Sequence, residues 1–580
     1  MPIIAQHRSE ADWVSRFADE VIAAAERRAL GRPIVVASGL SPSGPIHLGN
    51  LREVMTPHLV AEEIRRRGLE CVHILSWDDY DRFRKVPAGV DPSWSTHIGK
   101  PLTSVPPPPG SRYASWADHY KAPMLGALAQ LGVEFQGVSQ TEQYTSGAYR
   151  TQILLAMHER NRIRQVLQRY RTTVTAGART ESPSDAAFRT DPGTGEDDRG
   201  SGPTDESDGL AAAGYFPYKP YCSACERDLT TVTAYDDETT AIAYTCMCGH
   251  AETAKLSEHS CGKLVWKVDW PMRWAYEGVL FEPSGVDHQS PGSSYVVGTQ
   301  LVRDVFGAEP PIGPMYAFVG SAGMAKMSSS KGEVPTPADA LEIMEPQVLR
   351  WLYARRRPQQ SFTITFDHEI HRLYDEWDAV GRKVADGTAT GATAAAYDRA
   401  IGTAAGRLPA TPHPLPYRAL ASVVDMSAGD PEQILRILGD LDPDSALGAL
   451  DEVRPRLDRA QTWVETQMPA DQRTRVRDEP DVQLIASLTK AESESLRLLL
   501  DGLDDHWSLD GLTTLVYAVP KVQAGLPPDA PPTAELKTLQ RAFFALLYKL
   551  LVGRDTGPRL PTLLLAVGRA RVRTLLGRCP

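Results

Sequence analysis

The sequence predicts an α/β protein with three parts: a Rossmann-type nucleotide-binding domain, a zinc-containing insertion within it, and an all-α carboxyl-terminal region. An apolar, β-branched run at 33–38, a helical pattern at 51–67 and a second apolar run at 71–76 together form a βαβ unit. Five of the seven cysteines lie close together, between 222 and 261. Leucine-rich helical patterns recur towards the end of the chain, at 434–450, 494–512 and 538–552.

The composition indicates a chain with several buried cores. With 580 residues, of which 42% are hydrophobic and 23% charged, it is long enough for about three or four domains. No apolar run is long enough to cross a bilayer, and the first residues lack the apolar segment of a secretory signal. We therefore expect a cytoplasmic protein without membrane contact, and we favour a monomer.

The turn after the first predicted strand is a candidate phosphate site. Glycine and proline residues end the strand, and the sequence His-Leu-Gly-Asn at 47–50 then begins the helix. The backbone N–H groups and the positive end of the helix dipole favour a phosphate there, and the imidazole of His47 can donate to a phosphate oxygen. Gly49 allows a bulky ligand to approach the backbone. Taken alone, this pattern fits an ordinary strand–turn–helix corner at least as well.

A second candidate phosphate site lies far downstream, in the sequence Lys-Met-Ser-Ser-Ser-Lys-Gly at 326–332. Two ammonium groups and three hydroxyls on a loop of small residues can hold a polyphosphate. Loops rich in serine and lysine are usually only solvated, so this loop alone is a weak signal. The presence of both segments in this order is a much more specific signal.

The two segments resemble the signature motifs of the class I aminoacyl-tRNA synthetases, which read HIGH and KMSKS. Asn50 stands at the second histidine of HIGH, and Ser329 stands at the second lysine of KMSKS. Within the class, the chain is most similar to the class I lysyl-tRNA synthetases, and the likeness extends to about Trp377. The segments that carry it are SGLSPSGPIHLGNLRE (38–53), WDDYDRFRKVP (77–87), YKPYCSAC (218–225), WKVDWPMRW (266–274), FEPSGVDH (281–288) and KMSSSKG (326–332).

The resemblance implies a two-step reaction. L-Lysine and ATP, with Mg²⁺, form a lysyl-adenylate, and the lysyl group then passes to the 2′-hydroxyl of the terminal adenosine of tRNA(Lys). Catalytic roles are implied for His47, Asn50, Lys326, Ser328, Ser329 and Ser330. Contacts with ATP are implied for Pro42, Gly44, His47, Gly49, Asn50, Gly285, Asp287, Lys326 and Met327, with Asp287 accepting from the ribose hydroxyls.

The resemblance also implies where the amino acid binds. It assigns contacts with substrate lysine to Gly39, Ser41, Trp266 and His288, and an aromatic wall can pack against the four-methylene stem of lysine. The acid cluster at 78–81 follows the second predicted strand and offers Asp78 to the ammonium group, although acids at this position can also cap the next helix. Tryptophans spaced four apart, at 266, 270 and 274, predict one helical stripe of core.

Four closely spaced cysteines are candidate metal ligands. Cys222 and Cys225 form a CxxC pair, and Cys246 and Cys248 form a CxC pair after twenty intervening residues. Thiolates on two tight turns predict a tetrahedral zinc site, and the segment 231–244 between them predicts the hairpin of a zinc ribbon. The zinc would be structural, because four sulfurs leave no open coordination position. One of three nearby residues could instead join the ligand set: His250, His259 or Cys261.

The predicted domain boundaries follow from the motifs and the resemblance. The two halves of the catalytic domain are expected at 1–110 and 263–335, separated by a connective insertion at 111–262. A linker that resembles a stem-contact region is expected at 336–380. The helical domain at 381–580 corresponds to the part that reads the anticodon in this family.

Within the insertion, helices are expected at 116–131 and 149–170, after an extended, proline-rich connection at 87–110. The second of these helices is long and basic, which suits contact with the acceptor end of an RNA. The stretch at 176–214 carries nine acids against three arginines, and we predict that it is disordered. The zinc ribbon is expected at 218–262.

The end of the chain is locally basic, although the formal net charge of the whole chain is -11. From Lys537 onwards nine basic residues face one acid, which gives nine minus one, or +8. A basic helical region of this kind is compatible with RNA contact, and a solvated helical face is an equally good interpretation.

Three other functions fit these residues less well. A glutamate-specific enzyme of the same fold would need basic residues where Trp266, His288 and the acids at 78–81 lie. A ligase that uses the same activation chemistry without tRNA would have no anticodon to read, and the long helical region argues against it. An RNA-binding regulator built on a zinc ribbon would not need both phosphate motifs.

Overall fold

The computed structural model describes residues 12–28, 31–87, 89–177, 214–258, 261–321, 334–427, 429–441, 447–531 and 533–577. Several predictions fall outside these residues. They concern most of the acidic stretch (178–213), His259, and the serine-rich loop with Lys326, Met327, Ser328, Ser329 and Ser330.

The described residues form two compact units. The first contains the described parts of Met1–Leu341, with Pro346–Thr365 and Arg382–Leu408; the second contains Glu342–Glu345, Phe366–Gly381 and the described parts of Pro409–Pro580. This division differs from the predicted boundaries near 336 and 381. A physical reason is the buried Arg399, whose guanidinium bonds Asp12 (Nε to Oδ2, 3.1 Å) and Glu63 (Nη1 to Oε2, 2.7 Å) and so ties 382–408 to the first unit.

The strands, numbered along the chain, are β1 (Ile34–Leu40), β2 (Cys71–Trp77), β3 (Gln136–Ser139), β4 (Tyr218–Pro220), β5 (Thr230–Tyr235), β6 (Ala241–Cys246), β7 (Ala251–Lys255), β8 (Gly262–Leu264), β9 (Val279–Phe281), β10 (Ser284–Gly285), β11 (Met315–Tyr316), β12 (Val319–Gly320), β13 (Phe362–Thr363), β14 (Gly402–Thr403) and β15 (Gly406–Arg407).

The α-helices, also numbered along the chain, are α1 (Trp13–Arg28), α2 (Leu48–Arg66), α3 (Trp116–Gln130), α4 (Gln140–Thr145), α5 (Arg150–His158), α6 (Arg160–Gly177), α7 (Trp266–Glu277), α8 (Ser294–Asp304), α9 (Pro337–Ile343), α10 (Pro346–Ala354), α11 (Glu369–Ala385), α12 (Gly391–Ile401), α13 (Tyr417–Ser427), α14 (Pro431–Leu441), α15 (Arg456–Thr466), α16 (Val482–Ala486), α17 (Lys490–Gly502), α18 (Leu509–Gln523), α19 (Ala534–Val552), α20 (Leu560–Val567) and α21 (Arg569–Leu576). Among the described helices, none combines the length and the apolar character that a membrane crossing requires.

The central sheet of the first unit is parallel, with the strand order β3-β2-β1-β9. Helix α2 connects β1 to β2, which confirms the predicted βαβ unit. Leu40 lies beside Trp77 in the register, so the two central strands end level with each other. The loops that follow them therefore open on the same edge of the sheet, where ligands of such folds bind.

Two local predictions, one in the insertion and one just before it, are wrong. The single helix expected at 149–170 is two helices, α5 and α6. Helix α5 ends before Glu159, and α6 begins at Arg160, whose guanidinium donates to the carbonyl of Met157 at 2.7 Å and to Asp237 on the neighbouring ribbon at 2.8 and 2.9 Å. The connection at 87–110 is not simply extended either. It contains 3₁₀ turns at Pro92–His97 and Leu102–Ser104, because Leu102 and Val105 pack into a small core with Phe83 and Trp116.

The cysteine-rich part of the insertion is a small antiparallel β module. Strands β5, β6 and β7 form one sheet, and β4 pairs with β8. The hairpin predicted at 231–244 corresponds to β5 and β6. This pairing brings the beginning and the end of the module together beside the sheet of the first unit.

The second unit is built from helices around a leucine-rich core. Its core residues come from the described parts of 485–576, mainly from α17 to α21. Within the described residues from 409 onwards, every regular element is helical. The predicted all-α range of 381–580 nevertheless begins too early, since the antiparallel pair β14 and β15 lies inside it.

Much of the basic charge near the end of the chain is paired with acids on the same unit. Arg569 and Arg573 both contact Asp504, at 3.4 and 3.0 Å. Arg571 contacts Asp478 at 2.9 Å, and Lys549 contacts Asp555 at 3.0 Å. Four of the nine cations counted in the sequence therefore have acidic partners, which favours the interpretation of a solvated helical face for these four.

Candidate active site and cysteine cluster

A cavity of about 690 Å³ lies in the first unit, where β1, β2 and β9 end. Pro42 is buried and does not line this cavity. The other described residues singled out in the sequence for binding nucleotide or lysine all lie in its wall: Gly39, Ser41, Gly44, His47, Gly49, Asn50, Asp78, Trp266, Gly285, Asp287 and His288.

His47 and Asn50 hold each other at the start of α2. The backbone N–H of Asn50 donates to Nδ1 of His47 at 3.3 Å, and the backbone N–H of His47 donates to Oδ1 of Asn50 at 3.2 Å. This reciprocal capping box satisfies the N–H of His47 and gives a second acceptor to the N–H of Asn50, which also donates to the carbonyl of His47 at 2.9 Å. Because Nδ1 accepts, the neutral imidazole carries its proton on Nε2. His47 is therefore a helix cap whose Nε2–H is a hydrogen-bond donor.

Two glycines make room for the polar side chains of the cavity wall. A Cβ atom on Gly49 would lie 2.8 Å from the Nδ1 and Cε1 atoms of His47. A Cβ atom on Gly285 would lie 2.5 Å from Oδ1 of Asp287. Both separations are shorter than van der Waals contact, so any larger residue would displace the side chain beside it.

The three tryptophans of α7 form the predicted stripe along one side of the helix. The rings of Trp266 and Trp270 stack with centroids 5.1 Å apart, and the rings of Trp270 and Trp274 follow at 5.2 Å. The ring of His288 lies 5.5 Å from that of Trp270. The Nε1–H of Trp266 is buried and has no hydrogen-bond partner among the described residues, which leaves a donor in the cavity wall.

The stripe also holds a buried carboxylate, Glu282. The indole N–H groups of Trp270 and Trp274 donate to its two oxygens at 3.0 and 2.6 Å. Burial raises the pKa of Glu282 to about 7, against the opposing effect of the two indole hydrogen bonds. The prediction for Trp270 and Trp274 was core packing alone and did not include holding an acid.

The acids that follow β2 are held by separate partners. Oδ1 of Asp78 accepts from Nη1 of Arg273 at 2.7 Å, and burial raises the pKa of Asp78 to about 6. Oδ1 of Asp81 lies 2.5 Å from Nζ of Lys263. Asp79 does not cap the next helix along the chain, which was the second interpretation of this cluster. Its carboxylate accepts from the backbone N–H of Thr141 at the start of α4 (2.8 Å), and its Oδ2 lies 2.5 Å from Nζ of Lys121.

Arg273 is the central cation of the cavity wall. It is 4% exposed, its Nη2 donates to Asp269, and its Nη1 reaches Oγ of Ser76 at 3.2 Å besides Asp78. Its guanidinium lies 5.5 Å from the centre of the Trp266 ring. Two carboxylates therefore neutralise this one buried cation.

Four further carboxyl groups line the cavity that the sequence reasoning missed: Glu53, Asp228, Glu277 and Glu282. Burial raises the pKa of Glu53 to about 8 and that of Glu277 also to about 8. Glu53 hydrogen-bonds Tyr316. The spacing along the predicted helix could have identified Glu53, because Glu53 lies three residues after Asn50 and so on the same face of α2.

The four cysteines form a second site, in the β module. Their Sγ atoms all lie within 4.8 Å of one another, with Cys222 to Cys248 and Cys225 to Cys246 both at 3.7 Å. Thiolates at a zinc–sulfur distance of about 2.3 Å in a tetrahedron lie about 3.8 Å apart, so these residues fit a tetrahedral metal ion. Among the described residues, His250 and Cys261 are not part of this cluster.

Comparison with known proteins identifies the family of the chain. Residues 11–405 match the family described as tRNA synthetases class I (K). The chain is 67% identical, over 100% of both chains, to the lysine–tRNA ligase of Streptomyces coelicolor. It is 32% identical to the lysine–tRNA ligase of Thermococcus kodakarensis, over 96% of this chain and 97% of that protein.

Among solved structures, a glutamate–tRNA ligase from Elizabethkingia meningosepticum covers 95% of this chain and 100% of its own, with 11% identity and a TM-score of 0.40. That likeness is too distant to bear on function. The family match covers more than half of the chain, and it contains the central sheet, the start of α2 and the cysteine cluster described above. The chain belongs to the class I (K) family of tRNA synthetases.

Proposed function

We propose that this protein attaches L-lysine to tRNA(Lys) in an ATP-dependent reaction that passes through a lysyl-adenylate. One observation supports this proposal above all: the start of α2, which suits a phosphate, and a group of carboxyl side chains line the same cavity. The start of α2 would bind the nucleotide, and the carboxyl groups would bind a cationic amino acid. The two relatives named above are lysine–tRNA ligases by name, which supports the same substrate.

In the proposed first step, the carboxylate of lysine attacks the α-phosphate of ATP, and pyrophosphate leaves. His47 donates from Nε2 to a phosphate oxygen, and the start of α2 adds backbone N–H groups. Asp287 accepts from the ribose hydroxyls beside Gly285. Mg²⁺ would enter with the ATP phosphates and neutralise part of their charge, and the 326–330 loop is proposed to close on the same phosphates, as its resemblance to KMSKS implies. The reaction therefore depends on placement and charge rather than on a strong protein base.

The charges of the pocket favour lysine over glutamate. Glu53, Glu277 and Glu282 line it without an arginine or lysine ion pair among the described residues, whereas Arg273 is already neutralised by Asp78 and Asp269. A substrate ammonium group would therefore find an acidic partner in this pocket. We propose that Trp266 packs against the lysine stem, that Gly39, Ser41 and His288 complete the pocket, and that Asp78 acts through Arg273.

The proposal is tested by ATP–pyrophosphate exchange with each of the twenty amino acids, followed by charging of bulk tRNA. We expect exchange that depends on lysine and charging of lysine tRNA alone. Exchange that depends on glutamate would instead indicate a glutamate-specific enzyme of the same fold. Exchange with lysine but no charging of any tRNA would indicate a ligase that acts without tRNA.

Lysine binding is expected to strengthen as the pH rises from about 6 to about 9. Burial raises the pKa of Glu53 to about 8, so this carboxyl is protonated and neutral at the lower pH. The lysine ammonium, whose ordinary pKa is about 10.4, binds the ionised form and remains charged throughout. Calorimetry at several pH values measures the dissociation constant. Glu53→Gln should weaken binding and reduce the pH dependence to the part that Glu277 and Glu282 contribute. Glu20→Gln, on the exposed side of α1, should leave the profile unchanged, and a flat profile in the native protein would contradict this role.

We further propose that the four cysteines hold one structural zinc ion, which would lock the turns at 222–225 and 246–248. Metal analysis of the purified protein should give about one zinc per chain. Cys246→Ser should lose the metal and lower the melting temperature. Cys261→Ser is the matched control, because this exposed cysteine lies in the same module but outside the cluster. Equal zinc loss in both variants would refute the four-cysteine ligand set.

The proposal also extends to the domains. The halves at 1–110 and 263–335 would bind the small substrates, the insertion would face the acceptor end of the tRNA, and the helices within 381–580 would read the anticodon. A cytoplasmic location and a monomeric state stay predictions.

A further inference from the structure

One segment of the cavity wall, residues 316–319, connects the two places proposed to bind ATP. At one end it faces the start of α2, since a Cβ atom on Gly49 would lie 3.8 Å from the carbonyl oxygen of Val319. At the other end Tyr316 pairs with Gly285, where the proposed ribose-binding element begins. We call this segment the nucleoside wall, because a nucleotide that reaches from the start of α2 to Gly285 lies along it.

The backbone of the nucleoside wall is held by short strand pairings. Strand β11 pairs with β10 over two residues, and β12 pairs with β13 over two residues. Between β11 and β12, the N–H of Ala317 donates to the carbonyl of Pro358 at 2.9 Å. Segments held by such short pairings open more easily than long strands do. The position of the wall therefore depends on bonds from neighbouring elements.

Arg52 supplies such bonds from the second turn of α2. Its Nη1 donates to the carbonyl of Ala317 at 2.9 Å, and its Nη2 donates to the carbonyl of Arg357 at 2.8 Å. The guanidinium also lies 5.2 Å from the centre of the Phe362 ring on β13, which is within the range of a cation–π contact. The planar fork of this one side chain therefore ties the nucleoside wall and the chain beside it to α2.

Arg52 is a buried cation whose partners are backbone carbonyls. It is 3% exposed, and it forms no ion pair with any carboxylate that the structure describes. Burial lowers the pKa of Arg52 to about 10, so the guanidinium still carries its charge near neutral pH. A charged donor makes stronger hydrogen bonds than a neutral one. Because Arg52 does not line the cavity, it acts on a bound nucleotide only through the wall that it holds.

The start of α2 has anchors of its own that do not involve Arg52. The backbone N–H of Leu48 donates to the carbonyl of Pro335 at 3.0 Å. The carbonyl of Leu48 accepts from the hydroxyl of Tyr353 at 2.7 Å. The capping box described above adds two further bonds at the same place. Loss of Arg52 would therefore release the nucleoside wall and leave the phosphate-binding helix start in position.

We propose that Arg52 is a positioning residue for ATP, because its forked contact holds the nucleoside wall at one distance from the phosphate-binding start of α2. This inference rests on the proposed function. It makes the nucleoside part and the phosphate part of the site separable. Without Arg52 the nucleoside part loosens, whereas the phosphate part keeps its own anchors.

The test measures two partial ligands separately, by equilibrium dialysis of the full chain against labelled adenosine and against labelled tripolyphosphate with Mg²⁺. Arg52→Met should weaken adenosine binding by about tenfold and change tripolyphosphate binding by less than about twofold, and kcat/KM for ATP in exchange should fall by about 10–10²-fold. Arg52→Lys keeps the charge, but one ammonium group cannot reproduce the fork that reaches both carbonyls. It should therefore show the same pattern, and it serves as the test if Arg52→Met does not fold.

A matched control is Arg65→Met, at the other end of α2, where Nε of Arg65 donates to the carbonyl of Cys71 at 2.8 Å. It should leave the binding of both ligands unchanged. Equal weakening of adenosine and tripolyphosphate in the Arg52 variants would indicate general loosening or a direct effect of charge, and it would overturn the inference. Native adenosine binding in Arg52→Lys would overturn it as well, because charge without the fork would then suffice. A native protein that binds both ligands but shows no lysine-dependent exchange would refute the proposed function, which is a separate result.

Discussion

Replacing His47 with asparagine is expected to slow lysine-dependent ATP–pyrophosphate exchange by about 10²–10³-fold, which is about 2.7–4 kcal/mol of barrier, by analogy with the loss of one oxyanion-hole donor. Asparagine is among the best helix caps, so it can still accept the N–H of Asn50 as Nδ1 of His47 does. It cannot place an N–H where Nε2 of the imidazole lies. The variant therefore removes the phosphate donor and keeps the cap.

His47→Ala separates the two roles of this residue. Alanine loses the cap as well as the donor, and a lost cap costs about 1 kcal/mol of stability. We expect both variants to show the same loss of exchange, and only His47→Ala to unfold at lower urea concentration. Exchange at the native rate in His47→Asn would mean that the helix start does not contact the reacting phosphates.

Replacing Arg273 with methionine is expected to lower the free energy of unfolding by about 3–5 kcal/mol, because removal of one partner leaves buried charges unpaired. Asp78 and Asp269 would both lose this cation, and both are buried. Methionine keeps much of the side-chain volume, so little of the effect comes from a cavity. Urea denaturation followed by tryptophan fluorescence measures the change, since Trp266 and Trp270 lie beside the site.

The control for this prediction is Arg303→Met on the neighbouring helix α8. Arg303 contacts Glu309 at 3.1 Å, but both side chains are more than half exposed. An exposed pair of this kind contributes about 0–1 kcal/mol. Equal destabilisation by the two substitutions would show that Arg273 is not the counter-ion on which its two acids depend.

The parts of the fold that were predicted correctly are those with a strong local pattern. The strand at 33–38, the helix at 51–67 and the strand at 71–76 each have the periodicity of their element, and the structure confirms all three. The prediction of an extended connection at 87–110 was wrong because its short 3₁₀ turns depend on Leu102 and Val105 packing against Trp116. The break between α5 and α6 was missed because Arg160 bonds Asp237, which lies 77 residues away.

The residues of the candidate site also fall into those that a local pattern predicts and those that it does not. The sequence by itself determined the residues that chemistry requires at fixed local spacing, namely His47, Gly49 and Asn50 at one helix start and the CxxC and CxC pairs, because a cap or a metal turn is built from neighbours in the chain. Only the tertiary structure decided the partners of the buried charges. Asp78 and Arg273 are 195 residues apart, and the choice of counter-ion for a buried carboxylate depends on which helix packs over the end of its strand.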